Sequence, residues 1–140
     1  VGGGVPFVGE DGRRLSGEYL LPPYLDGNPP RPFITSAPQT MAYGGSAVNI
    51  GYIKPEIFGL PDCDRAVLVS LGAVTHGFDQ HQRYIPLTVQ TSDSTSIKVF
   101  PPADAKIAPP GWYMLFILYP RAVTGSTHTP CFMAAYVKLG

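Results

Sequence analysis

Three histidines occur in the 140 residues, and two of them, His76 and His81, sit five positions apart in LVSLGAVTHGFDQHQRYIPLTV (68–89). A neutral imidazole ligates transition metals or moves protons near neutral pH. Thr75, Asp79, Gln82 and Arg83 share this stretch and could orient or brace a ring, although solvation of a polar loop accounts for them equally well. H-x4-H on a loop does not by itself define a metal centre, because structural zinc takes four ligands at regular spacings. His128 is not brought near by anything in the sequence. The two histidines therefore either decorate a turn, or one of them is presented to something beyond it.

The elements that would hold this loop read as strands. RAVLVSLG (65–72) is rich in β-branched residues. RYIPLTVQ (83–90) alternates, with Ile85, Leu87 and Val89 on one side and Tyr84, Pro86 and Thr88 on the other. SIKVFPP (96–102) pairs with it across the polar TSDST turn. GWYMLFILY (111–119) is apolar on both sides, as a central strand is, so Trp112, Tyr113 and Phe116 are expected in the core. FMAAYVKL (132–139) puts Met133, Ala135, Val137 and Leu139 on one side. MAYGGSAVNIGY (41–52) reads as a strand with a Gly-Gly turn or bulge inside it, FITSAP (33–38) as a short strand, and EYLLPPYL (18–25) as extended or an edge.

Sixteen glycines and sixteen prolines without a period argue against helices. About seven strands and no substantial helix predict an all-β, immunoglobulin-like antiparallel sandwich. In it, 65–72, 111–119 and 132–139 are neighbours, the middle one antiparallel to both. Cys63 and Cys131 then lie at one end of that sheet, opposite the end that carries His76. They are about two strand spacings, near 10 Å, apart, against the roughly 7 Å limit of a disulfide. Loop residues could close that gap, so a bridge and two buried, reduced thiols are both open.

Ten acidic and ten basic residues balance, and only 14% of the chain is charged, which argues against nucleic acid. No apolar run reaches a membrane span. The opening VGGGV has no G-x-G-x-x-G after it, and no G-x-S-x-G nucleophile is present. A chain starting at Val1 without Met or a leader reads as a processed product or a piece of something longer. Residues 1–17 read as the tail of an upstream domain or a linker, and 18–140 as the sandwich. Tyr19, Tyr24 and Tyr43 are candidates for a sugar-binding surface, and the 18–25 edge for self-assembly.

The run Thr75-His76, Gln82-Arg83, Ile85-Pro86-Leu87, followed by Pro110-Gly111-Trp112-Tyr113-Met114-Leu115-Phe116, resembles the C-terminal E-set domain of galactose oxidase and the glyoxal oxidases, which are secreted copper-radical oxidases. EYLLPPYLDGNPPRPFI resembles the segment leading into that domain, and VGGG resembles the end of a last propeller strand. The resemblance covers nearly the whole chain. It implies an upstream β-propeller as partner, a copper ion held mainly there, and a parent reaction that oxidises a primary alcohol or aldehyde with O2 to give H2O2. It implies that His76 is one copper ligand, with Thr75, Asp79, Gln82 and Arg83 supporting it. It carries no role to His81, which reads as solvent-facing or interfacial, and no catalytic residue to this chain, which alone should be inactive. The family's Arg-Arg before Ile-Pro-Leu is Arg83-Tyr84 here. The alternative is a non-catalytic extracellular sandwich with a structural or carbohydrate-binding role.

Overall fold

The computed structural model describes residues 22–55, 60–121 and 127–140. The proposed tail 1–17 and Tyr19 lie outside these residues. After a 3₁₀ turn at Pro23–Leu25, eleven strands follow: β1 Phe33–Ser36, β2 Thr40–Met41, β3 Val48–Ile53, β4 Arg65–Ser70, β5 Val74–Thr75, β6 Phe78–Asp79, β7 Tyr84–Ser92, β8 Ser96–Phe100, β9 Gly111–Pro120, β10 His128–Pro130 and β11 Ala135–Leu139. Four of these strands have two or three residues, which accounts for the excess over the expected seven.

The main strands form two layers that share β7. One layer runs β1-β3-β8-β7, the other β7-β4-β9-β11-β2, with β10 beside the end of β9. Tyr84–Leu87 pair with β4, and Thr88–Ser92 pair with β8 across an irregularity between Val89 and Thr91. Pro86 sits where β7 has only β4 for a neighbour, so its missing N–H leaves no ladder bond unmade. Further along, the same strand crosses to the other layer. The alternation over 83–90 is as read: Ile85 and Leu87 are buried, while Tyr84, Pro86 and Thr88 are exposed.

Between the layers lies the core: Ile50, Tyr52, Ile97 and Val99 from one, and Leu68, Tyr113, Leu115, Ile117, Val137 and Leu139 from the other. β9 lies between β4 and β11, antiparallel to both, as expected. Other expectations need correction. The run 41–52 is not one strand, because Gly44 turns left-handed (φ 59°) and separates β2 from β3, which join different layers. Met133 is 68% exposed, since β11 begins only at Ala135 and the residues before it form a bend. Of the three aromatics assigned to the core, only Tyr113 is there. Trp112 is 51% exposed, and Phe116 is half-buried on the outer side of its sheet. Both sides of β9 are apolar, but one faces the core and the other faces out.

Cys63 and Cys131 are buried and free. Cys63 precedes β4, which flanks β9 on one side. Cys131 follows β10 on the other side, its amide donating to the Ile117 carbonyl (2.9 Å). Burial pushes Cys63 up to about 12 and raises Cys131 as well, so both are poor nucleophiles.

Candidate functional site

Between β4 and β7 the chain leaves the sandwich as a small hairpin, β5–β6, that pairs with no other strand. Val74 faces Asp79, and Thr75 faces Phe78. Two residues join the strands, His76 at φ 56° and Gly77 at φ 76°. Two positive φ values in succession mark the type I′ connection, which matches the strand twist and favours Asn-Gly. Gly77 suits its place. His76 does not: a non-glycine residue there is strained, and strain held at a loop tip points to a function that needs that side chain. The pattern Val-Thr-His-Gly-Phe-Asp carries the turn signal in its His-Gly pair, obscured because histidine is an uncommon first residue.

The base of the hairpin is tightly tied. Asp79 Oδ1 accepts from the amides of Ala73 (2.9 Å) and His81 (3.0 Å), and Gln80 donates its amide to the Ala73 carbonyl (3.0 Å). These bonds hold the Asp79 carboxyl below its ordinary value, the His81 amide contributing most. A Cβ on Gly72 would meet Asp79 Oδ2 at 3.2 Å, so glycine lets the chain pass the carboxylate closely. At the end of β4, Ser70 donates its hydroxyl to the His81 carbonyl and its amide to the Arg83 carbonyl (3.1 Å). Arg83 Nη1 donates to the Ile107 carbonyl (3.3 Å), anchoring the return strand to the 101–110 loop. Its Nε is buried with no partner among the described residues.

At the tip, His76 Nδ1 lies 2.8 Å from Thr75 Oγ1. When the ring nitrogen donates, Nε2 keeps a free lone pair and is the nitrogen able to ligate a metal. The structure thus brings Thr75 to the ring and Asp79 and Arg83 to the base. Gln82 is exposed and hydrogen-bonds to neither, and His81 enters the site chiefly through its backbone. His128 is at the far end of the sandwich, 2.9 Å from Asp64. Among the described residues no group of three metal-ligating side chains exists. One outward imidazole on a braced scaffold fits a metal whose remaining ligands come from elsewhere, not a self-contained centre.

The profile of the family described as "Galactose oxidase-like, Early set domain" matches residues 31–129. The chain is 32% identical over 123 residues to a WSC domain-containing protein of Arthroderma benhamiae, covering 88% of this chain and 12% of that protein. It is 31% identical over 117 residues to the aldehyde oxidase GLOX of Vitis pseudoreticulata, covering 79% and 22%. A solved structure titled "Novel fungal alcohol oxidase with catalytic diversity among the AA5 family, in complex with copper" superposes with a TM-score of 0.60 at 28% identity, covering 84% of this chain and 23% of that one. The chain spans about an eighth to a quarter of the length of these proteins. No helix among the described residues is long and apolar enough to cross a membrane.

Proposed function

The chain belongs to the galactose oxidase-like early set domain family, and from that premise we propose that it is the C-terminal sandwich of a larger secreted copper oxidase. Its hairpin 71–83 enters an upstream β-propeller and delivers His76 to a copper ion held mainly there. Residues 1–17 form the end of, or the linker from, that upstream domain. The observation that carries the reading is His76 itself, a residue in a left-handed turn at the tip of a projecting hairpin, with Nδ1 engaged by Thr75.

The flanks of the hairpin support the same reading. Val74 is 72% exposed and Phe78 59%, an arrangement suited to burial against another surface. Copper, when bound, supplies the redox chemistry by which a primary alcohol or aldehyde is oxidised while O2 becomes H2O2. This chain's part is to hold one imidazole in a fixed tautomer at the end of a stiff support. Asp79 stiffens that support, Arg83 anchors it, and Thr75 sets the ring.

Copper content measured in the full-length parent and in its His76→Ala variant tests this. Loss of a ligand should lower copper affinity by more than the roughly 10–100-fold typical of groups that only support a ligand, with the secondary structure unchanged. Equal copper content in the two proteins overturns the assignment.

A further inference from the structure

Three methionines and two cysteines carry the sulfur of this chain. Sulfur is the readiest target of a hydroperoxide, and its susceptibility follows exposure and, for a thiol, thiolate character. Four of the five side chains are shielded. Met41 is 1% exposed, and Cys63 and Cys131 are fully buried. Burial also raises both thiols, so little thiolate is present to react. Met114 is half-buried on the outer side of β9, between Tyr136 and Val69. Met133 alone is open, at 68%.

The fold itself holds Met133 open. The bend ahead of β11 is tied by groups other than the Met133 side chain. The Phe132 amide donates to the Pro32 carbonyl (2.8 Å), and the Cys131 thiol donates to the Met133 carbonyl (3.1 Å). Arg31 donates from Nε to the Pro130 carbonyl (2.9 Å) and from Nη2 to the Cys131 carbonyl (2.7 Å). Its guanidinium stands 5.3 Å from the centre of the Phe132 ring, which in turn stacks on Phe33 with centres 5.2 Å apart. Turning the thioether inward would break these ties. Ala135 pairs with Leu115, so Met133 lies towards the Pro120 end of β9, whereas the hairpin leaves β4 after Ser70, which pairs with Tyr113. The open thioether and the histidine hairpin therefore belong to different ends of the sandwich.

We propose that Met133 is a modification site, the position at which this domain is oxidised by a hydroperoxide to methionine sulfoxide while its fold is retained. The sulfur lone pair attacks one peroxide oxygen. An S–O bond forms as the O–O bond breaks, and the two electrons lost by sulfur are gained by the peroxide. The proton on the transferred oxygen passes to the leaving oxygen, so H2O2 gives one water. A thioether needs no deprotonation for this step, unlike the buried thiols. The product is open to methionine sulfoxide reductases, which makes the site reusable. That the parent itself supplies the peroxide rests on the oxidase reading above. The reactivity of the site rests on this chain alone.

The test treats the 140-residue chain with H2O2 in the presence of a metal chelator and maps its peptides by mass spectrometry. Met133 sulfoxide should form roughly tenfold or more faster than Met41 sulfoxide, given 68% against 1% exposure, with Met114 between them. The chain oxidised at Met133 should keep its cooperative thermal melt, and Met133→Leu should remove the fast phase of peroxide consumption. Oxidation that starts at Met114 or at either cysteine, or loss of the cooperative melt once Met133 is converted, overturns the proposal. The full-length parent, given a primary alcohol or aldehyde under air, separates this proposal from the oxidase reading. Met133 sulfoxide that accumulates during turnover and is suppressed by catalase supports both. If no peroxide is released and Met133 is still the first residue to react with added H2O2, the oxidase reading falls and the site stands. If peroxide is released and Met133 stays unmodified, the site falls and the oxidase reading stands.

Discussion

Two loops at the two ends of β7 are each organised by one aspartate, and they end in opposite states. In the β7–β8 turn, Asp93 accepts from the amides of Thr95 (2.8 Å) and Ser96 (2.9 Å) and from both their hydroxyls (2.8 and 3.0 Å). Its carbonyl accepts from the buried Tyr52 hydroxyl at 2.5 Å. Every side chain of that turn is polar, and the turn completes itself. In the β5–β6 hairpin, Asp79 closes the base in the same manner, yet the tip is strained and the flanks are apolar and open. Local hydrogen bonding thus explains why both loops are ordered. Of the two, only the hairpin and its base carry features that their own structure does not use: a left-handed histidine, two exposed apolar side chains and an Arg83 Nε with no partner among the described residues.

Replacing both apolar flanks should separate the loops most strongly. Val74→Ser with Phe78→Ser should leave the 140-residue chain within about 0.5 kcal/mol of its original stability, as exposed substitutions do. In the parent, where each side chain would contribute roughly 1.5–3 kcal/mol on burial, copper retention should fall about a hundredfold or more. Dialysis against a chelator followed by metal analysis reads this. Unchanged retention would break the contrast and make the hairpin as self-sufficient as the Asp93 turn.

Thr75→Val sharpens it with a smaller effect. Removing the Nδ1 partner should weaken copper retention in the parent about tenfold. It should also alter the tautomer balance of His76 in the short chain, read from its ring nitrogen shifts by NMR. A purely structural threonine would leave those shifts where they were.

Acid should distinguish the two aspartates by the least amount. Asp93 is held at about 2, chiefly by the Thr95 amide, against an ordinary 3.8. Its folded-state value is depressed, so the stability it adds is present above the ordinary value and is lost as pH falls from there towards 2. Asp93→Asn should therefore lower Tm at pH 5 and lose that difference by pH 2. Asp79 is shifted in the same direction, so Asp79→Asn should follow the same trend. Its larger consequence should be faster amide exchange at Ala73 and His81, with the sandwich amides unaffected. Thermal melts and hydrogen exchange across this pH range check both.

Much of the sandwich was legible because it rests on local chemistry. Period-two alternation in 83–90 assigns Ile85 and Leu87 inward whatever the neighbours are. The β-branched run of β4 and the polar TSDST turn are equally local. The order β4-β9-β11 followed from the absence of helices and the spacing of strands. Two histidines stood out by residue type and their neighbours by polarity, and only the resemblance to the galactose oxidase family singled out His76. Gln82 shows the limit of that signal, since polarity selected it and the structure gives it no contact with the ring. The His-Gly turn was written in the sequence but was obscured by an unusual residue at its first position.

The residues themselves determined an all-β domain and its main inward faces, since each depends on properties within a few positions along the chain, and they placed two histidines on one loop without choosing between them. Two features depended on which strands became neighbours. Cys63 and Cys131 are buried on opposite flanks of β9, the first ahead of β4 and the second after β10. Trp112 and Phe116 face outward because β9, apolar on both sides, offers periodicity no means of choosing which side meets the other layer. Packing settles such choices through distances in space, and those distances are not carried by residue spacing.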